Sequence, residues 1–207
     1  MDKDYWEQFY TQADGGRRSP SLFARYCLNE HLEENMTVIE LGCGRGADSE
    51  YFAAHGVAVS ACDQSHHVER MQSINPRFFA GDFTQLADIQ AGVPEQVDIV
   101  YSRFSIHSVT AEDEDRVLGW VPELLKSGGK FLIEARSTKD DIYGKGECVG
   151  PHIYLLDDHR RRFIQADEFR QKLVDSGFKI DYLAEERGFA PYNDEDPICL
   201  RVVASLA

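Results

Sequence analysis

Long hydrophobic runs are missing from this sequence of 207 residues. No apolar stretch approaches the roughly 20 residues that cross a bilayer, and the opening Met-Asp-Lys-Asp-Tyr-Trp is charged where a secretory leader would be apolar. Cysteine is scarce and unpaired: Cys27, Cys43, Cys62, Cys148 and Cys199 form an odd set with no C-x-x-C spacing. That argues against a disulfide framework and against structural zinc, and no metal site is expected. Basic residues are in deficit, with 22 Lys and Arg against 36 Asp and Glu and a net charge of -14. The deficit disfavours a nucleic-acid ligand and an anionic membrane surface, both of which depend on basic surface. A cytoplasmic location is expected. What is present is ordinary core material, 43% apolar, enough for one domain with its own interior.

Periodicity divides the chain. Asp4 to about Gln12 reads as a short helix, followed by the loop Asp14-Gly-Gly-Arg-Arg. Ser19-Pro20 reads as a helix start, with Ser as N-cap and Leu22, Phe23, Tyr26 and Cys27 at helical spacing after it. Strands are expected at 37–41, 57–62, 77–80, 97–104 and 130–135, with helices at 47–54, 65–74 and 111–125 between them. Such alternation implies a parallel sheet covered on both faces. Beyond Arg136 the pattern changes. A hairpin is expected around Asp157-Asp158, then a helix at 167–176, then strands at 178–185 and 198–204 with no helix between them, an antiparallel pair at one sheet edge.

The chemistry concentrates in Val38-Ile-Glu-Leu-Gly-Cys-Gly-Arg-Gly46 and the later Ala61-Cys-Asp63. Glycines let the backbone approach a ligand where a Cβ would clash, and the helix after them directs free N–H groups at that ligand. Asp63 ends the second strand, where its two oxygens can accept from both hydroxyls of a ribose. Gly42-x-Gly44-x-x-Ala47 also satisfies the dinucleotide fingerprint, which keeps a nicotinamide-dependent oxidoreductase as a rival. Glu40 counts against it: a carboxylate aimed at the loop repels a pyrophosphate and attracts an ammonium or sulfonium. Cys43 is read as a small residue in a tight turn rather than a nucleophile.

The order Glu-x-Gly-x-Gly-x-Gly, then Asp63, then Gly81-Asp82-Phe83, then Val97-Asp-Ile-Val-Tyr-Ser-Arg-Phe, then Leu124-Leu-Lys-Ser-Gly-Gly-Lys-Phe-Leu-Ile resembles the class I S-adenosylmethionine-dependent methyltransferases over nearly the whole chain. The resemblance implies a Rossmann-like, seven-stranded, mostly parallel sheet with one antiparallel edge strand, and S-adenosyl-L-methionine as cofactor. It places Gly42 and Gly44 against the methionine part, Asp63 and its neighbour Gln64 at the ribose, Asp82 on the adenine amine with Phe83 beside the ring, Ser102 near the sulfonium, and Glu40 on the loop or the amino group. Residues 1–34 would form a helical lid in which Tyr5 and Trp6 cover the cofactor and Arg17, Arg18 or, preferably, Arg25 holds its carboxylate. Tyr5-Trp6, Glu134-Ala-Arg-Ser137, Tyr143-Gly-Lys-Gly146 and His159-Arg-Arg-Arg-Phe163 are similar to small methyltransferases encoded with bacterial surface-polysaccharide genes. That likeness implies a small or carbohydrate-linked acceptor, with 137–165 as a substrate-binding insertion containing Tyr143 and His159.

Three consecutive arginines in so acidic a chain need a reason. On a strand Arg160 and Arg162 share one face and Arg161 takes the other. With Arg103 and Arg136 they would line an anionic acceptor pocket at the carboxyl edge of the sheet; the alternative is pairing with Asp140, Asp141, Asp157 or Asp158. A neutral hydroxyl acceptor calls for a base, for which His107 and His159 are candidates, whereas a phosphate or carboxylate acceptor needs none. The alternative for His107 is a satisfied ring packed behind the site. His66 and His67 are expected to face solvent. A binding protein that keeps the cofactor pocket without catalysis is the remaining rival.

Overall fold

The computed structural model describes residues 5–7, 19–93, 96–157 and 159–206; Arg17, Arg18 and Asp158, and most of the first expected helix, lie outside the described residues. Residues 5–7 are helical. The strands are β1 (Thr37–Leu41), β2 (Ala58–Asp63), β3 (Arg77–Ala80), β4 (Val97–Arg103), β5 (Leu125–Arg136), β6 (Glu147–Gly150), β7 (Ile153–Leu156), β8 (His159–Arg162), β9 (Phe178–Glu186) and β10 (Cys199–Leu206). The helices are α1 (Leu22–His31), α2 (Ala47–Ala54), α3 (Leu86–Gln90), α4 (Ala111–Leu124) and α5 (Ala166–Asp175), with short 3-10 turns at His66–Arg70 and Ile106–Ser108. Among the described residues no helix is long and apolar enough to cross a membrane.

Seven strands pair in the order β3-β2-β1-β4-β5-β10-β9. From β3 through β5 the pairings are parallel, and β10 is antiparallel to both β5 and β9. The antiparallel strand therefore lies one place in from the edge, and the pair it makes with β9 closes the sheet. The chain leaves β1 toward β2 on one side and returns to β4 on the other. This order reversal opens a crevice at the carboxyl ends of β1 and β4, where open sheets bind ligands. Side-chain alternation builds two cores. On β5, Phe131, Ile133 and Ala135 pack with α4 and α5 residues such as Leu118 and Phe169, while Leu132 turns to the opposite face with Phe23, Phe52 and Tyr101.

Several expected elements differ. The cap of α1 is Ser21, whose hydroxyl accepts from Ala24 N at 2.9 Å, not Ser19. The helix expected at 65–74 shrinks to the 3-10 turn, because the Asn75 side chain bonds Val57 O at 2.8 Å and Val59 N at 2.9 Å and draws the segment across β2. Strand β5 starts at Leu125 rather than after Gly128-Gly129. The two glycines form a bulge inside it, where a Cβ on Gly129 would meet the Asp98 carbonyl at 3.0 Å. Beyond Arg136, β6, β7 and β8 form a separate antiparallel sheet. It is joined to the end of β5 by Ile164 N donating to Arg136 O at 2.9 Å.

Candidate active site

A cavity of about 720 Å³ occupies the crevice. Its floor is the turn after β1. Gly42, Gly44 and Gly46 all take positive φ there, and a Cβ on Gly42 would sit 2.6 Å from Ser105 Cβ, so only glycine fits. The loop is pinned from three sides. Gly42 N and Cys43 N donate to Cys62 O at 2.8 and 2.9 Å, Gly44 N donates to Asp63 Oδ2 at 2.9 Å, and His67 Nε2 donates to Gly44 O at 2.6 Å. His67 is thus half-buried and structural, not the solvent-facing residue expected. Asp63 Oδ1 accepts from Ser65 N at 2.9 Å, so this carboxylate orders the loop as well as lining the cavity, and burial raises its pKa. Gln64 beside it also lines the cavity. Its Nε2 is buried without a hydrogen-bond partner among the described residues, a donor left for a ligand.

Glu40 projects from β1 into the same cavity and accepts from Ser49 Oγ of α2. Burial, then the neighbouring Asp48 carboxylate, pushes its pKa well above the ordinary carboxylate value. Asp48 was not singled out from the sequence, yet it joins three elements here. Its carboxylate accepts from Ser21 N, Ser21 Oγ and Tyr101 Oη, each at 2.7 Å, which ties the start of α1 to α2 and β4. Burial and the Glu40 and Asp63 carboxylates raise the Cys43 thiol well above its usual range, which suits a packed residue and not a nucleophile.

Trp6 lines the cavity. Tyr5 stacks on His159 with ring centroids 4.1 Å apart, and Glu7 Oε1 accepts from His66 N at 2.7 Å. Residues 5–7 thereby bridge from β8 to the turn after β2 beside the cavity. The cavity is also lined by Arg103, Phe104, Ser105 and Arg136, with Ala190, Tyr192 and Glu195 from the loop between β9 and β10. That loop includes the acidic run 193–196, for which charge pattern alone suggested no role.

Other expected site residues fall elsewhere. Arg25 is exposed on α1 and lies over the Tyr51 ring at 5.8 Å, away from the cavity; Arg45, inside the glycine loop, lines it instead. Asp82 turns back to cap its own loop, accepting from Thr84 N at 2.9 Å and Thr84 Oγ1 at 2.8 Å, while Phe83 faces the cavity. Ser102 is fully buried behind Ser105, its Oγ 2.7 Å from Ser105 Oγ, so Ser105 lines the cavity and Ser102 does not. His107 lies behind the wall, its Nδ1 accepting from Arg136 N at 3.0 Å. Burial and the surrounding positive charge of Arg136 and Arg162 lower its pKa to about 3.

Of the arginine cluster, none lines the cavity. Arg162 is 9% exposed and donates to Glu114 Oε2 at 2.5 Å and to Ile106 O at 2.9 Å. Arg160 is exposed. Arg161 shares its register position with Tyr154 of β7. Tyr143 donates to or accepts from His152 Nδ1 at 2.7 Å and packs against Tyr154 and Phe163. None of the three arginines of β8 is brought to the crevice.

A family profile described as a methyltransferase domain matches residues 12–183. The chain belongs to that family, the class I S-adenosylmethionine-dependent methyltransferases. An uncharacterized methyltransferase of Geobacillus thermodenitrificans is 22% identical over 200 residues, 90% of this chain and 91% of that one. Among solved structures, an S-adenosylmethionine-dependent methyltransferase of Methanosarcina mazei superposes with a TM-score of 0.71 at 16% identity, covering 86% of this chain and 95% of its own. The 1,6-didemethyltoxoflavin-N1-methyltransferase of Burkholderia thailandensis, solved with 1,6-didemethyltoxoflavin and S-adenosylhomocysteine, gives 0.69 at 20% identity, over 100% of this chain and 84% of its own.

Proposed function

We propose that this protein transfers a methyl group from S-adenosylmethionine to a small or carbohydrate-linked acceptor bearing an anionic group, in the cytoplasm. The observation that carries the reading is the cavity itself. It is built on a glycine loop that excludes a Cβ at Gly42, with the buried Gln64 Nε2 unpaired among the described residues. Its volume of about 720 Å³ falls within the ~300–1,000 Å³ usual for small-molecule sites. Asp63 and Gln64 suit the ribose end, Phe83 the face of the adenine, and Gly42 and Gly44 the methionine part. Trp6 excludes water from one side.

When bound, S-adenosylmethionine supplies a methyl group on a positively charged sulfur. The chain's own part is alignment. Ser105, packed against Gly42, and Phe104 line the cavity after β4, and a misplacement of about 1 Å in such a wall can cost ~10²-fold in rate. Glu40 has its pKa raised in the crevice by burial and by Asp48. A bound cation reverses that balance, favours the carboxylate and gains an attractive partner. His107, neutral and behind the wall, is not placed to take a proton from an acceptor. This favours an acceptor atom that is already nucleophilic, such as an oxyanion. Calorimetric titration with S-adenosylhomocysteine, with NAD as control, tests the reading. Saturable binding of the first alone is expected; binding of NAD alone would replace it with the oxidoreductase reading.

A further inference from the structure

We propose that Arg103 takes an oxyanion of the methyl acceptor, a phosphate monoester or a carboxylate, and that Glu134 and Arg201 are positioning residues that aim it. The inference rests on the methyl-transfer reading above. Register places Arg103, Glu134 and Arg201 in one row across β4, β5 and β10. Glu134 is fully buried between the two guanidinium groups. Its Oε1 accepts from Arg103 Nε at 3.1 Å, and its Oε2 from Arg201 Nε at 3.1 Å and Arg201 Nη2 at 2.6 Å. Within this row two guanidinium groups share one carboxylate, while Asp48 and Glu40 act on Arg103 from outside it.

Arg201 cannot present the surplus to a ligand. It is 7% exposed and enclosed by the rings of Phe23, Tyr26 and Phe189 at 5.0, 4.9 and 4.0 Å. Arg103 can, because its side chain remains 27% exposed and lines the cavity. Only its Nε is engaged among the described residues, which leaves the two Nη nitrogens, the edge of the fork that matches two oxygens of a carboxylate or phosphate. Phe104 supports the guanidinium from beneath, its ring centroid 4.5 Å from Arg103 Cζ. The Phe104 backbone is in the left-handed region, φ 55°, held there by its N–H donating to Glu134 O at 2.8 Å.

Arg136 differs in charge balance. It already meets Asp140 at 3.1 Å and Glu195 at 3.3 Å, two carboxylates for one guanidinium. Asp48 and Glu40 act on Arg103 through space, but neither hydrogen-bonds it: Asp48 accepts from Ser21 and Tyr101, and Glu40 from Ser49. Among the described residues Arg103 therefore keeps both Nη nitrogens without a carboxylate partner, whereas both of those on Arg136 are engaged.

The test is titration of inorganic phosphate, glucose 1-phosphate and glucuronate, with neutral glucose as control, into protein saturated with S-adenosylhomocysteine. Saturable binding is expected for at least one oxyanion and none for glucose; the phosphate and glucuronate arms distinguish phosphate from carboxylate recognition. Arg103→Lys should weaken that binding at least tenfold and Arg136→Lys less than threefold, with S-adenosylhomocysteine affinity within twofold of wild type in both. Glu134→Gln separates aiming from charge: it makes the row more positive, so affinity rises if charge alone acts and falls if Glu134 aims the fork. A fall is expected, and Arg201→Lys, which preserves charge, should show the same fall should Glu134→Gln not fold. The proposal is overturned by the absence of saturable oxyanion binding, by a larger loss in Arg136→Lys, or by a rise in Glu134→Gln. It is also overturned if Arg103→Lys weakens S-adenosylhomocysteine but not 5′-methylthioadenosine, which would assign Arg103 to the cofactor carboxylate. Failure of the wild type to bind S-adenosylhomocysteine at all is a different result, which removes the methyl-transfer reading beneath it.

Discussion

His107 shows how far an environment can carry a single side chain from its usual chemistry. In solution an imidazole is protonated near pH 6.5. Here the ring is packed behind β5 with Nδ1 already occupied by the Arg136 N–H, and its pKa falls to about 3. Between those two values the unfolded chain binds a proton that the folded one refuses, so His107 destabilises the fold as pH drops from about 7 toward 3. The contribution is at most about 1.4 kcal/mol per pH unit, or about 2 kcal/mol between pH 7.5 and 5. Two measurements check this. The ring should not titrate in NMR spectra between pH 8 and 5, and His107→Asn, which retains an acceptor for Arg136 N, should lose less stability than wild type in urea unfolding over the same interval.

The glycine loop and the start of α2 work as one element. Gly46 has φ 71° at the N-cap of α2, and a Cβ there would strike the Phe78 ring at 2.6 Å and Met71 Cε at 2.7 Å, so β3 packs directly on the turn. At Gly42 the obstacle is Ser105 Cβ, which packs directly against the turn. Gly42→Ala combines a left-handed backbone, worth about 1–2 kcal/mol against a Cβ, with that clash, and both push the turn into the cavity. S-adenosylhomocysteine affinity should fall at least tenfold by calorimetry while the circular dichroism spectrum stays that of the wild type. An unchanged affinity would show that the cofactor does not lie on this loop. This element is legible in residue order because its signals are local: glycines at fixed offsets, an apolar strand before them and an acid after the next strand.

At the scale of the whole molecule, Arg162 joins parts of the chain that are far apart in sequence. Its guanidinium connects β8 to Glu114 of α4 and to the carbonyl of Ile106, and Lys172 of α5 adds a second donor to Glu114 at 2.8 Å. Removing Arg162 leaves the buried Glu114 with Lys172 as its partner, which places the cost toward the low end of the ~3–5 kcal/mol for breaking a buried pair. Arg162→Ala should therefore lower the melting temperature by roughly 10 °C for a chain of this size, yet retain S-adenosylhomocysteine affinity below the transition, since the residue does not line the cavity. A large loss of affinity in a stably folded Arg162→Ala would return the arginine cluster to the site. The alternating half of the fold, its parallel order and the positions of Glu40, Gly42, Gly44, Asp63 and Phe83 could be read from residue order, because period and turn chemistry act over a few neighbours. The separation of roles among arginines could not. Arg103, Arg136 and Arg162 are chemically alike, and which one meets solvent, one carboxylate or two depends on partners such as Glu134, Glu195 and Glu114, lying 31, 59 and 48 residues away. That Ser105 and Arg45 line the cavity while Ser102 and Arg25 do not has the same origin: a side chain's face is set by how its strand, turn or helix docks, and docking is a property of the assembled sheet and not of any one segment.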